Sequence, residues 1–554
     1  MDYVAKHATR VLSESTAGKE TSELFLDLVR VAEGKSSVTR SRVVKRTAWM
    51  YVIIVTLWAA LCVPYIAAVV PVVERGIRYN DWVGGLVAAT ALFITFFWLN
   101  GVKDVVYPFA YRLTRWRRQS PPPRASKATP LVGLLYVTCN DFSADALSAS
   151  IIQDYPNYEI VILDDSYKDN YRAQVDAYAS EHGIPVIRRS NRQGYKAGNL
   201  NHFLRTAAGQ RYDYFVIVDS DEILPRSFID RILDYFQDPS VGIVQANHIA
   251  TRNRTRFMRT FAPGVDSHFP VYQLVKAYAG FLSLLGHGAM ISRQAYQAAG
   301  GFPEIVAEDI GFAIDCLRAG YRTDFAADII CEEEFPPDYA AFKKRHRKWT
   351  DGNMEFMRRY TRRILFDRAF RWYERLDIIL FTYSLPLTGV FSLYVIVNAI
   401  LFPLIGFRYQ YPLWMLAPTV VCLFAPMIND MLTWRKAPKG RLLSYLLHSM
   451  MLFGSMFFVS LFASVRSTFK ASVFNVTPKQ SASTGLRFAV RRNADQLIAG
   501  AILAVIVEVA SGSVLPVILL LIPVIFIIYM SVMNANDGPQ DELNDAHILQ
   551  EEDN

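Results

Sequence analysis

Cysteine is scarce in this chain, and no two cysteines are closely spaced. The 554 residues contain five, with no C-x-x-C pair: Cys62, Cys139, Cys316, Cys331 and Cys422. Neither a cysteine-based zinc site nor a disulfide framework is therefore indicated. An excess of one charge is also missing, since 59 basic and 51 acidic residues leave a net charge of +8. The Lys and Arg residues cluster beside apolar segments, which is typical of membrane proteins and argues against nucleic acid as a partner.

Apolar sequence is abundant, because 52% of the residues are hydrophobic and 13% are aromatic. Residues 47–73 and 82–99 are each long enough to cross a hydrocarbon core, which takes about 20 helical residues. The first run begins too far from the terminus for a cleavable signal peptide. Five more apolar runs follow a long polar block, at 377–406, 411–432, 442–465, 495–510 and 512–533.

The charges beside these runs predict six membrane spans rather than seven. Basic linkers flank residues 442–465 on both sides. If both flanks are cytosolic, this run does not cross, and its His448 and four serines suit a helix at the membrane interface. An ordinary seventh span is the alternative. We expect a multi-pass protein of the plasma membrane, in contact with its lipids, with both termini and the polar block in the cytosol.

The predicted organisation has eight parts. They are a cytosolic segment (1–45), two transmembrane helices (46–104), a soluble domain (125–345), interfacial helices (346–376), two transmembrane helices (377–432), an interfacial helix with a loop (442–493), two transmembrane helices (494–533) and an acidic disordered tail (534–554).

The soluble domain alternates strand-like runs with helical stretches, which predicts an α/β fold with a mostly parallel sheet covered by helices on both faces. Residues 131–138, 159–163, 185–188, 214–218 and 242–245 read as strands. Ligands bind at the carboxyl ends of such strands. Asp164 and Asp165 follow one strand, and Asp219 and Asp221 follow another. An Asp in a loop is usually a turn former, but two clusters at strand ends favour a ligand site.

The residue types at these positions indicate phosphate and proton chemistry. The Asp219-Ser220-Asp221 turn can hold Mg²⁺ or Mn²⁺ through carboxylate oxygens, with Asp221 the better ligand, and the cation can bridge a diphosphate. Lys196 and Gly198 offer a cation and a flexible backbone nearby, although a surface turn capping a helix is the alternative. Glu308-Asp309 supply a candidate general base, or simply an acidic helix N-terminus.

In this order the motifs resemble those of family 2 inverting glycosyltransferases with a GT-A fold, and most of all the membrane-integrated cellulose, hyaluronan and chitin synthases. The resemblance implies an α/β GT-A domain inserted between transmembrane helices. It implies that Asp164, with Asp165 alongside, binds the uracil of a UDP-sugar, and that the K-A-G-x-L stretch with Lys196 and Gly198 contacts the donor. Asp219 and Asp221 would bind metal and diphosphate, and Asp309 would act as base beside Glu308.

The resemblance extends to a downstream loop. Residues 474–479 match the F-x-V-T-x-K pattern of a gating loop at every fixed position. It implies that Thr477 and Lys479 reach the diphosphate while Phe474 packs over the pocket on the acceptor side.

Two slots depart from the family pattern. Q-x-x-R-W becomes Arg345-x-x-Lys348-Trp349, so Lys348 keeps the charge but loses the planar fork of arginine. Arg347 is a candidate replacement, and the three cations are expected to screen the diphosphate. Trp349 is expected to stack on an acceptor sugar, with an interfacial anchor as the alternative. His287 stands where relatives carry a small residue, either as an acceptor contact or as a packed structural histidine.

The expected activity is processive, inverting transfer from a UDP-sugar, with UDP-glucose favoured, into a growing β-linked polysaccharide that crosses the membrane, with export proteins as possible partners. A non-processive enzyme acting on a lipid acceptor is the alternative. A nucleotide-sugar sensor without turnover is a third reading.

Overall fold

The computed structural model describes residues 48–114, 121–124, 128–469 and 485–535. The N-terminal segment, nearly all of the acidic tail, and the gating-loop residues Phe474, Thr477 and Lys479 lie outside these residues.

Two long helices precede the soluble domain and pack along each other. α1 covers Trp49–Tyr79 and α2 covers Asp81–Thr114. α2 continues past the end of its apolar run because its last turns bury Val106, Tyr107 and Ala110 in a core shared with later segments.

The soluble domain is built on one seven-stranded sheet. Its strands are β1 (Val132–Thr138), β2 (Tyr158–Asp164), β3 (Val186–Ile187), β4 (Tyr214–Asp219), β5 (Val241–Thr251), β6 (Ala289–Ser292) and β7 (Arg322–Glu334). Their spatial order is β3-β2-β1-β4-β6-β5-β7, and β6 runs antiparallel to both neighbours. The other pairs are parallel. The mostly parallel sheet is therefore confirmed, although β6 and the acid-rich β7 were not predicted from the sequence.

Helices cover both faces of this sheet. They are α3 (Ala144–Ile151), α4 (Asp169–His182), α5 (Tyr195–Leu204), α6 (Ala207–Gln210), α7 (Phe228–Ile232), α8 (Arg256–Phe261), α9 (Pro263–Ala279), α10 (Arg293–Ala299) and α11 (Glu308–Arg318). β4 shows why two layers are needed, because Phe215 and Ile217 enter one core while Val216 and Val218 enter the other. A strand that is apolar on both faces must be covered on both.

The rest of the described chain is helical. It comprises α12 (Tyr339–Phe366), α13 (Trp372–Thr382), α14 (Leu387–Val395), α15 (Phe402–Leu404), α16 (Leu416–Thr433), α17 (Lys439–Ser455), α18 (Phe457–Phe469), α19 (Leu486–Arg492), α20 (Ala494–Ser511) and α21 (Ile518–Ser531). A π-helical stretch, Ile396–Leu401, joins α14 to α15.

Five helical stretches among the described residues are long and apolar enough to cross a membrane. They are Trp49–Tyr79, Asp81–Thr114, Leu413–Thr433, Lys439–Phe469 and Ala494–Ser511, and two shorter apolar helices are Phe391–Leu404 and Leu515–Ser531. Length and composition would thus allow Lys439–Phe469 to cross, so its interfacial placement stays a prediction. Its second half, α18, makes polar contacts with α12, including His346 Nε2 to Ser460 Oγ at 2.7 Å.

A buried carboxylate joins the membrane helices to the soluble domain. Asp377 of α13 accepts hydrogen bonds from Tyr107 of α2 at 2.9 Å, from Lys276 of α9 at 3.0 Å and from the Phe281 backbone at 2.7 Å. Tyr51 of α1 lies 2.6 Å from the Tyr107 hydroxyl and extends the network. Four separate segments therefore depend on one fully buried side chain.

We expect Asp377→Ala to lower the unfolding temperature strongly. The substitution leaves the buried Lys276 ammonium without its partner, and breaking a buried pair typically costs about 3–5 kcal/mol. Thermal unfolding of the purified protein in detergent measures the effect. Asp377→Asn, which keeps the shape, should be intermediate, and Asp169→Ala, at an exposed position, should be neutral. A wild-type unfolding temperature for Asp377→Ala would show that this network does not anchor the domain.

Candidate active site at the carboxyl edge of the sheet

A pocket opens where β1, β2 and β4 end, as parallel strands predict. Five of the residues singled out in the sequence line it, from four separate segments: Asp165, Lys196, Asp219, Asp221 and Lys348. The structure thus brings the acidic turn, the K-A-G stretch and the start of α12 into one cavity.

Lys196 lies at the centre of the acidic groups. Its ammonium group forms an ion pair with Asp219 and donates a hydrogen bond to the Gly286 carbonyl at 2.9 Å. Burial lowers its pKa, but Asp219 and Glu308 outweigh burial, so the pKa is raised and the side chain stays charged. The segment around Lys196 packs tightly, because a Cβ on Gly198 would lie 2.0 Å from the Gln193 carbonyl oxygen. Any larger residue at position 198 would clash with this carbonyl oxygen, which explains the glycine. The contact of Gly198 with the sugar donor stays a prediction.

Glu308 and Asp309 occupy the first turn of α11 beside this lysine. Burial, followed by the neighbouring Asp309, raises the pKa of Glu308 to about 8. Burial also raises the pKa of Asp309, against the opposing effects of the Ile310 backbone N–H, Lys196 and Lys348. Glu308 is buried and Asp309 is partly buried. A carboxylate pair with raised pKa values can take up a proton near neutral pH, which a general base requires.

The Asp219-Ser220-Asp221 turn is held in place by the residue that follows it. Glu222 Oε2 accepts hydrogen bonds from the Asp219 backbone at 3.3 Å and from the Gly288 backbone at 3.0 Å. Asp219 forms an ion pair with Lys196, and both Asp219 and Asp221 line the pocket. Hard carboxylate oxygens in a polar pocket fit Mg²⁺ or Mn²⁺, and Asp221, with Asp219 beside it, would hold the ion.

The two aspartates after β2 have different environments. Both carboxylate oxygens of Asp164 are used internally, by Arg188 at 2.7 Å and by the Ser166 backbone at 2.8 Å. Both oxygens of Asp165 are likewise bound by Arg189, at 2.9 and 2.6 Å, but Asp165 lines the pocket and Asp164 does not. The geometry thus favours Asp165 over Asp164 for direct contact with a ligand, and the uracil contact stays a prediction for both.

Helical spacing separates the cations of α12. Lys348 lines the pocket, and the Arg345 guanidinium stacks on the Trp349 ring at 4.8 Å and on Phe335 at 4.9 Å. Burial lowers the pKa of Arg345 to about 10. Arg347 points elsewhere, because the charges nearest to it include Arg466, Asp351 and Asp495. Arg347 is therefore poorly placed to replace the missing arginine of the pocket.

Two expected acceptor residues differ in accessibility. Trp349 is 46% exposed, although the Arg345 guanidinium lies over its ring. His287 belongs to a cluster with Glu222, His248 and Glu333 beneath the pocket, and Glu222 raises its pKa to about 10 against the effect of burial. That position suits the alternative of a structural histidine better than open acceptor contact.

Several pocket residues were not singled out in the sequence: Thr138, Cys139, Asp141, Arg192, Tyr195 and Asn199. Thr138 ends β1, and Cys139 and Asp141 follow it, so the strand-end rule that found Asp165 and Asp221 applied to these three residues as well. Tyr195 has a positive φ of 49°, a strained conformation for a bulky residue that is typical of functional sites.

Comparison with known proteins assigns this architecture to a class. Residues 214–429 match the family described as Glycosyl transferase family group 2. The cellulose synthase catalytic subunit (UDP-forming) of Xanthomonas axonopodis pv. citri strain 306 is 30% identical over 244 residues, which cover 40% of this chain and 32% of that protein. The β-monoglucosyldiacylglycerol synthase of Synechocystis sp. PCC 6803 is 26% identical over 278 residues, covering 47% of this chain and 56% of that protein.

A solved structure, S. aureus TarS 1–349 in complex with UDP, is 14% identical with a TM-score of 0.32, covering 61% of this chain and 88% of that chain. The chain therefore spans about a third of the length of the cellulose synthase subunit and just over half of the length of the β-monoglucosyldiacylglycerol synthase. The family match runs from β4 to α16, which is less than half of this chain. The sheet described above confirms the expected α/β domain with a mostly parallel sheet, flanked by membrane-spanning candidates.

We expect Lys196→Met to destabilise the protein in a pH-dependent manner. Removing the cation should cost about 1–2 kcal/mol, less than for a fully buried pair because Asp219 is 35% exposed. A carboxyl group whose pKa is raised on folding binds its proton more tightly in the folded state, so stability falls as pH rises. Without Lys196 the pKa values of Glu308 and Asp309 rise further.

The deficit in unfolding temperature relative to wild type should therefore be larger at pH 8 than at pH 5.5. Lys343→Met is the matched control, since Lys343 pairs at 3.1 Å with the half-exposed Asp495. An equal deficit at both pH values for Lys196→Met would contradict the proposed electrostatic role.

Proposed function

We propose that this protein is an inverting glycosyltransferase that uses a UDP-sugar, with UDP-glucose favoured, and extends a β-linked polysaccharide. The observation that carries the proposal is the convergence of Asp221, Lys196 and Asp309 at one sheet edge. Asp221 and Lys196 line one pocket and supply a ligand for a cation and a fixed positive charge, and Asp309, whose charge interacts with Lys196 and Lys348, supplies a proton acceptor beside it. The family match supports sugar transfer, and the cellulose synthase relative supports the polymer.

The reaction follows from the placement of these groups. Asp309 accepts the proton of the acceptor hydroxyl, whose oxygen forms the new bond to the anomeric carbon. The bond from that carbon to the diphosphate oxygen breaks, and UDP leaves with the electron pair. Lys196 and Lys348 stabilise the charge that develops on the leaving diphosphate. Mg²⁺ or Mn²⁺ at Asp221 would supply further neutralisation of that charge.

The acceptor side favours a polymer. The exposed Trp349 ring lies one residue from Lys348 of the pocket, so a sugar stacked on it would sit beside the reacting centre. α12, which carries both residues, also packs against α18 of the membrane-facing region. A product leaving the pocket would therefore meet the helices at once, and we place the catalytic domain in the cytosol with export across the plasma membrane.

Transfer to a lipid acceptor is the second candidate. The match to the β-monoglucosyldiacylglycerol synthase spans a larger share of both proteins than the match to the cellulose synthase. Incubation of the purified protein with UDP-glucose, UDP-GlcNAc, UDP-GlcA and UDP-galactose, separately and in pairs, tests the two functions. A high-molecular-weight product on a gel supports the polymer, a product that moves with the lipid fraction supports the glycolipid, and the absence of UDP release supports a sensor.

We expect Asp309→Asn to lower the transfer rate by about 10²–10⁴-fold, the usual loss on removing a general base. UDP affinity should stay near wild type, because the amide is nearly isosteric. The release of UDP and calorimetric UDP binding measure the two effects. Asp169→Asn, the same change in the first turn of the exposed α4, is the matched control. Turnover within a few-fold of wild type would remove Asp309 from the role of base.

We expect Asp221→Ala to make UDP affinity insensitive to Mg²⁺ and Mn²⁺, because the cation and the diphosphate are bound together. Calorimetric titration with UDP, with and without each ion, measures the dependence. Wild-type metal dependence in this variant would contradict the assignment of Asp221.

A further inference from the structure

A second group of ligand-type side chains lies beneath the pocket. Glu222 follows the Asp219-Ser220-Asp221 turn, His248 lies in β5, His287 lies in the loop before β6, and Cys331 and Glu333 lie in β7. Glu222 and Cys331 are fully buried and His248 is 1% exposed. The ligand atoms of Glu222, His248 and Cys331 all lie within 4.8 Å of one another, and those of His248, His287 and Glu333 form a second such group that shares His248.

One oxygen of this group has no hydrogen-bond donor. Glu222 Oε1 is buried and makes no hydrogen bond among the described residues, while Oε2 accepts two backbone bonds. Two imidazole nitrogens face Oε1, His287 Nδ1 at 3.3 Å and His248 Nε2 at 3.6 Å. His287 Nδ1 is also buried without a hydrogen bond in this part of the structure. Burying a carboxylate oxygen without a hydrogen-bond donor costs folding free energy.

Glu333 determines which ring nitrogens of His248 and His287 carry a hydrogen. Its Oε2 lies 3.4 Å from His248 Nδ1 and 3.5 Å from His287 Nε2, on the far side of both rings. A carboxylate accepts, so each imidazole places its N–H toward Glu333. In the neutral rings the other nitrogen then carries a lone pair. His287 Nδ1 faces Glu222 Oε1, and His248 Nε2 faces both Glu222 Oε1 and, at 3.3 Å, the Gln245 amide nitrogen. Lone pairs facing a carboxylate repel it unless a cation lies between them.

The arrangement is that of a metal site with its supporting shell. Two imidazole nitrogens, a carboxylate oxygen and a thiol are typical zinc ligands, and metal-bound histidines commonly donate their other N–H to a carboxylate. Glu333 provides that support for both rings. The backbone permits the close approach, because a Cβ on Gly288 would lie 2.3 Å from both Glu222 Oε1 and His248 Nε2.

We propose that Glu222, His248 and Cys331, with His287 as the fourth ligand, bind a divalent transition metal of the Zn²⁺ type, separate from the cation at Asp221. The bound metal holds the Asp219-Ser220-Asp221 turn and the 286–288 loop together as the floor of the pocket. Glu222 connects them through its two backbone hydrogen bonds, and the Gly286 carbonyl in turn accepts from Lys196. The site does not depend on the proposed transferase activity.

The competing account is that protons replace the metal, with the histidines charged between the two carboxylates. Cys331 separates the two, because in a protonated cluster its thiol is only a weak donor to the Glu222 carboxylate, whereas as thiolate it binds zinc strongly. The full-length protein is purified without chelators, desalted and analysed for bound metals, then stripped and reconstituted with Co²⁺. We expect stoichiometric zinc and a thiolate-to-cobalt charge-transfer absorption band.

Cys331→Ser should lower zinc content about tenfold or more and remove the cobalt band. Cys316→Ser is the matched control, because Cys316 is an equally buried cysteine in α11, and it should keep the zinc. Asp221→Ala should also keep the zinc, which distinguishes this site from the diphosphate cation. If Cys331→Ser does not fold, Glu333→Gln serves instead and should weaken zinc affinity about 10–100-fold while keeping the cobalt band.

Wild-type protein that binds neither zinc nor cobalt stoichiometrically would overturn the proposal in favour of a protonated cluster. Full zinc content and an unchanged cobalt band in a folded Cys331→Ser variant would overturn it as well, as would loss of zinc in Asp221→Ala.

Discussion

The charge on Lys196 is the constraint on which the candidate active site depends. Its ammonium group is paired with Asp219, holds the Gly286 carbonyl and opposes the negative charge of Glu308 and Asp309. Without that cation, three carboxylates from two different elements would repel one another in a partly buried pocket. The lysine thus joins the turn after β4, the loop before β6 and the start of α11 in a single electrostatic unit, and a phosphate-bearing ligand would bind where this positive charge already lies.

Two connections link that unit to the membrane helices. Asp377 ties α1, α2 and α9 to α13 through buried hydrogen bonds. α12 presents Lys348 to the pocket while Asp351, on the same helix, accepts a 2.5 Å hydrogen bond from Ser467 of α18. Because one rigid helix contacts both the pocket and the membrane-facing region, a shift of the membrane helices would reach the reacting groups directly. α12 therefore connects the candidate active site with the helices that follow the soluble domain.

Much of the pocket could be predicted because its chemistry is local in the chain. Apolar runs that end in acidic residues placed Asp165 and Asp221 at the sheet edge. The same reasoning did not separate Asp164 from Asp165, since only the packed Arg188 shows that Asp164 is used internally. The orientation of Arg347 away from the pocket could have been predicted from helical spacing, because residues 345, 348 and 349 share a helix face that residue 347 does not.

The amino-acid sequence by itself determined the class of fold, the membrane segments, the acidic turns and the candidate base, since periodicity and strand ends are properties of neighbouring residues. Tertiary structure alone decided which charged groups neutralise one another. It brought Glu222, His248, His287 and Cys331 together from four distant segments, and it set Asp377 among helices that are far apart in the chain. Whether a buried polar atom is satisfied depends on atoms that only folding brings within hydrogen-bonding distance.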